Sequence, residues 1–121
     1  MQPLAANIIT SPAINLGVFL KKGGSLEKAM PEMRQRMEYI ISLAASHNTE
    51  AIVLGAWGCG VFKWPPKAVA SMFRELLLEK RLINSFKHVV FALASDKAFH
   101  SQFEKFDYVN FDTFTDILLD K

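Results

Sequence analysis

With 121 residues, half of them hydrophobic, the chain has room for one domain with a modest core. Fourteen Lys and Arg against twelve Asp and Glu leave a net charge of +2, too small and too scattered to imply a nucleic-acid partner or an acidic membrane surface. One cysteine excludes an internal disulfide and gives no metal cluster, and no apolar run approaches the roughly twenty residues of a membrane span, so the composition points to a reducing cytoplasm without metal or cofactor.

In chain order, Asn7-Ile8-Ile9-Thr10 reads as a short buried strand stopped by Pro12. Residues 16–25, with Lys21-Lys22-Gly23-Gly24, read as a flexible loop. A first helix is expected to open near Pro31, with Met33, Met37, Ile40, Ile41 and Ala44 on one face and Arg34, Arg36 and Glu38 on the other, and to stop near His47-Asn48. Ala51-Ile52-Val53-Leu54 is a second strand. After Pro65-Pro66 comes a second helix, with Val69, Met72, Phe73, Leu76 and Leu77 on its apolar face. The run His88-Val89-Val90-Phe91-Ala92-Leu93 is apolar enough for a parallel strand covered on both faces. Residues 97–106 and 113–119 read as short helices, the second capped by Asp112. The alternation predicts an α/β architecture, an incomplete and mostly parallel sheet of about three strands flanked by helices. So few strands in so apolar a chain predict an exposed edge or face covered by another subunit, in a homo-oligomer of two copies.

The chemistry centres on Leu54-Gly55-Ala56-Trp57-Gly58-Cys59-Gly60-Val61-Phe62, between the second strand and the second helix. Three glycines within six residues let the main chain take positive φ and approach another group closely. Successive N–H groups in such a turn form an anion-binding nest, reinforced by the positive end of the following helix dipole. A tight strand-to-helix turn that binds nothing has the same composition, and both readings stay open. Two familiar phosphate loops do not fit. A P-loop needs Ser or Thr after its lysine, whereas Lys63 is followed by Trp64 and two prolines; a dinucleotide fingerprint needs a glycine where Lys63 stands.

The nine residues 54–62 resemble the diphosphate-binding loop of the bacterial-type poly(ADP-ribose) glycohydrolases, a branch of the macrodomain superfamily. The resemblance extends upstream to Ile8-Ile9-Thr10-Ser11-Pro12-Ala13-Ile14-Asn15 and downstream to Val89-Val90-Phe91-Ala92-Leu93, so it covers most of this chain but only the C-terminal half of a family member. It implies a three-layer macrodomain-like domain over residues 1–121, truncated, with ADP-ribose or a related nucleotide as ligand. Gly55, Ala56, Trp57, Gly58, Cys59, Gly60, Val61 and Phe62 would form the diphosphate loop. The family's triple glycine and following Gln-Glu-Glu, which supplies the catalytic acid, are absent. The nearest stretch, Gly23-Gly24-Ser25-Leu26-Glu27, has neither, and no catalytic residue is assigned.

Three functions follow. The first is a module that binds ADP-ribose without turning it over. The second is a non-binding, oligomeric structural remnant. The third is a glycohydrolase whose acid comes from an unexpected position or from a partner, since no paired carboxylates mark an acid and a base. Cys59 at a helix N-terminus has the setting of a reactive thiolate, but it lacks a neighbouring base and reads better as a small residue filling a turn. His47, His88 and His100 lack metal-ligand spacing. Trp57 and Phe62 read either as ribose or base contacts or as core or lid residues.

Overall fold

A computed structural model describes residues 5–93 and 109–119. The chain forms helix α1 (Leu16–Lys21), helix α2 (Leu26–Ser46), strand β1 (Ala51–Leu54), helix α3 (Pro66–Arg74), strand β2 (His88–Phe91) and helix α4 (Val109–Leu118). A wider π turn, Glu75–Glu79, prolongs α3, and a 3-10 turn, Leu82–Ser85, leads into β2.

Helix α2 is the longest element and starts five residues before Pro31. Ser25 caps it, its hydroxyl accepting a hydrogen bond from the Lys28 amide at 3.3 Å, and Glu27 stands in the first turn where the helix dipole favours a negative charge. Pro31 therefore lies inside the helix and not in its opening turn, at a cost of about 3 kcal/mol. Burial of Met33, Met37 and Ile41 outweighs that cost, since each such side chain contributes about 1.5–3 kcal/mol. The helix ends as expected at His47, and Asn48 turns the chain away with φ of 55°.

β1 and β2 pair in parallel with Ala51 opposite His88 and Leu54 opposite Phe91. Ile52, Leu54, Val89 and Phe91 turn toward the core. Phe73 of α3, Phe91 of β2 and Phe114 of α4 form a ring cluster, with centroids 5.1 Å apart for Phe73–Phe91 and 5.7 Å for Phe91–Phe114. The Arg74 guanidinium donates to the Ile117 carbonyl and fastens α3 to α4. On the surface, Arg34 pairs with Glu75 at 3.1 Å and Lys80 with Glu38 at 3.4 Å.

Five further expectations are corrected. Residues 7–10 form no strand; they run as extended chain with Ile8 84% exposed, because among the described residues no neighbour offers them a ladder. The sheet accordingly has two strands and not about three among the described residues. Residues 16–21 are a helix and not loop, nucleated by the Asn15 side chain, which accepts from the Val18 amide at 3.2 Å. β2 is covered on one face only: Ala51, Val53, His88 and Val90 form an open outer face, with Val53 68% and Val90 50% exposed. Asp112 lies inside α4, which begins three residues earlier, and so is not its cap. The helix expected at residues 97–106 lies outside the described residues.

Candidate functional site

The glycine loop leaves the C-terminal end of β1, the end at which α/β sheets present their ligand sites. Its inner half is a turn closed by the Cys59 amide, which donates to the Ala56 carbonyl at 3.0 Å. Gly58 takes the third position with φ of +80°, the conformation that a type II turn demands there. A Cβ on Gly58 would stand 2.9 Å from Met33 Cε, 3.0 Å from Trp64 Cδ1 and 3.2 Å from Ala13 Cβ. The Trp64 amide donates to the Gly58 carbonyl at 3.0 Å, which closes the inner half over the buried indole.

Both tryptophans tie the loop to the segment before α1. Trp57 Nε1 donates to the Ser11 carbonyl at 3.1 Å, and Trp64 Nε1 donates to the Ile14 carbonyl at 2.8 Å. Arg36 of α2 adds a bond to the Pro12 carbonyl at 3.2 Å, so residues 11–14 are held from two sides. These carbonyls and Trp64 are the site residues that sequence reading missed; the signal available was an indole needing an acceptor when buried.

The outer half behaves differently. Gly60 accepts from the Lys63 amide at 3.1 Å through its carbonyl, and nothing lies within 4 Å of where its Cβ would be. Val61 is 85% exposed. Among the described residues the N–H groups of Gly58, Gly60, Val61 and Phe62 donate to no protein group, whereas that of Cys59 is engaged in the turn. Phe62 is half-buried, and its carbonyl accepts from the Gly17 amide at 3.1 Å. Gly55 and Trp57 border a cleft of about 1060 Å³ that runs along β1.

Helix α3 adds little to the anion-binding character of the loop. Its first position is Pro66, preceded by Pro65, and neither has an N–H. Burial pushes the Cys59 thiol from about 9.0 up to about 12, which disfavours the thiolate that a nucleophile needs. It fills the turn with its Sγ 3.8 Å from the Trp57 carbonyl. Among the described residues no group of three His, Cys, Asp or Glu is placed to hold a metal ion, and no helix is long and apolar enough to cross a membrane.

A parallel strand pair, a glycine loop at its C-terminal end and helices packed on its inner face define a macrodomain-like α/β fold. No family model and no curated protein matches the chain. Among solved structures, the poly(ADP-ribose) glycohydrolase of Deinococcus radiodurans in complex with ADP-ribose superposes with a TM-score of 0.80 at 36% identity. The match covers 97% of this chain and 44% of that one. The apo form of the same enzyme gives a TM-score of 0.75 at 33% identity, over 90% of this chain and 41% of that one. The chain is thus similar to a C-terminal portion of a bacterial poly(ADP-ribose) glycohydrolase and spans less than half the length of that protein.

Proposed function

We propose that the chain is a truncated macrodomain-like domain that binds ADP-ribose, or a related nucleoside diphosphate, through the outer half of its glycine loop, without turning it over. The observation that carries this reading is the row of unengaged N–H groups at Gly60, Val61 and Phe62 on an exposed turn at the end of β1. Such a row suits a diphosphate, because it offers several donors to one anion and needs no acid. The crystallised counterpart holding ADP-ribose supports the choice of ligand. Of the residues expected to form the loop, Gly55 and Trp57 line its approach, Ala56, Gly58 and Cys59 build its frame, and Gly60, Val61 and Phe62 make the contact.

The second reading is a glycohydrolase that obtains its acid from elsewhere. It is favoured by one fact, that the chain matches only 44% of the enzyme it resembles. In that case a glutamate from a polypeptide equivalent to the portion of that enzyme this chain does not match would protonate the leaving ribose oxygen while this chain holds the diphosphate. Calorimetric titration of the purified chain with ADP-ribose, with AMP as the control, separates binding from its absence. Saturable binding of ADP-ribose much tighter than that of AMP supports the module; no heat at millimolar ligand rejects it. Release of ADP-ribose from its polymer by the chain alone would reject the non-catalytic reading.

A further inference from the structure

The twelve Asp and Glu residues avoid the stretches that build the glycine loop and its surroundings. Residues 1–26, which include α1, contain none, and neither do residues 51–74, which hold β1, the loop and α3. Besides Arg74 at the far end of α3, the same two stretches carry Lys21, Lys22, Lys63 and Lys67, all four exposed. Among the described residues the ion pairs are Arg34–Glu75, Arg36–Glu32, Lys80–Glu38 and Lys87–Glu50, and none involves these lysines.

Two of the four stand where their own backbone setting is unfavourable. Lys63 has φ of 70°, in the left-handed region where a side chain costs energy that glycine would avoid. Lys67 is the second residue of α3, in the turn where the helix dipole opposes a positive charge. Lys21 differs, since it lies in the last turn of α1, where the dipole favours it. Lys63 closes the outer half of the loop, its amide donating to the Gly60 carbonyl at 3.1 Å. Its stem is also held in place. A Cβ on Gly17 would stand 3.1 Å from Lys63 Cγ and 3.7 Å from Lys63 Cβ, so the bare glycine of α1 makes room for the lysine. Locally costly residues beside an exposed turn mark a place where an outside group offsets the cost. A bound anion supplies what both lysines lack, an opposite charge.

We infer that Lys63 is the specificity-determining residue of the glycine loop. Its ammonium binds one phosphate of a diphosphate while the Gly60, Val61 and Phe62 amides bind the other, and Lys67 adds a second positive charge. This rests on the outer half of the loop being a diphosphate site, and goes beyond it by dividing the ligand between main chain and side chain. Three free amides within one turn converge on a single phosphate group. Lysine suits the second, because a compact ammonium on a flexible stem can follow a phosphate as a point charge. A monophosphate fills only the amide row, so Lys63 sets the preference for a diphosphate.

The test is calorimetric titration with inorganic pyrophosphate, inorganic phosphate and ADP-ribose of the unmutated chain and of Lys63→Gln, Lys63→Arg and Lys63→Gly. Lys63→Gln is expected to weaken pyrophosphate and ADP-ribose about tenfold or more and to leave phosphate within about twofold. Lys63→Arg keeps the preference for pyrophosphate, since it keeps the charge. Lys63→Gly binds as weakly as Lys63→Gln, while its urea midpoint stays at or above that of the unmutated chain, because glycine accepts φ of 70° without strain. Pyrophosphate bound as tightly by Lys63→Gln as by the unmutated chain overturns the inference and leaves the loop as a diphosphate site. So does an equal loss for phosphate and pyrophosphate, a Lys63→Arg as weak as Lys63→Gln, or a midpoint lowered in both Lys63→Gln and Lys63→Gly. Pyrophosphate binding that depends on Lys63, without binding of ADP-ribose, rejects the nucleotide as ligand and supports the inference. No heat with any of the three at millimolar concentration overturns both.

Discussion

The inner and outer halves of the glycine loop, residues 56–59 and 60–62, share a composition and differ in their surroundings. Gly58 is pressed on by Met33, Trp64 and Ala13 and holds φ of +80°, whereas Gly60 has open space around it and an ordinary φ. A glycine can be required by packing or by a visitor. Gly58 is of the first kind, and Gly60 has no reason inside the chain to be glycine. The contrast separates what builds the loop from what the loop is available to hold.

Substitutions sharpen that contrast in order of expected size. Trp64→Ala removes the indole under the inner half and orphans the Ile14 carbonyl, and should cost about 3–5 kcal/mol, read as a shift of the urea midpoint. Gly58→Val forces a β-branched side chain into positive φ and into three neighbours, and should cost about 3 kcal/mol in the same assay. A stable Gly58→Val variant would mean that the inner half is not the frame described. Gly60→Val should leave stability within about 0.5 kcal/mol. Its Cβ would stand where the phosphate approaches; hydrogen bonds to a charged group contribute about 1.5–3 kcal/mol each, so ADP-ribose affinity should fall about tenfold or more.

The smallest effect concerns pH. The Cys59 thiol is raised in the folded chain, so stability is fully present below about 9.0 and is lost as the pH climbs toward about 12, where the unfolded chain ionises first. Cys59→Ala should flatten stability over that alkaline range and leave it unchanged near neutrality. Iodoacetamide should modify the native thiol slowly at pH 7.5; rapid modification would contradict its burial.

Parts of this arrangement were legible in the residues alone. The end of α2, both strands and the start of α3 carried local signals: the spacing of Met33, Met37 and Ile41, the apolar runs, and Pro65-Pro66. The loop was found from its glycines, but nothing local distinguishes Gly58 from Gly60, because their roles depend on Met33 and Ala13, which are distant in sequence. Residues 7–10 have the composition of a strand and no neighbour to pair with among the described residues; a strand is a property of a sheet, which one segment cannot report. Pro31 misled in the opposite direction. Its usual place is a first turn, and only tertiary burial carries the helix past it.

The most direct test of the central claim is an ADP-ribose titration of the isotopically labelled chain followed through its backbone amide resonances. Binding through the outer half of the loop shifts the Gly60, Val61 and Phe62 amides most, and those of Ala56 and Cys59 less. Saturable binding with the largest shifts elsewhere, or no shift at millimolar ADP-ribose, would contradict it.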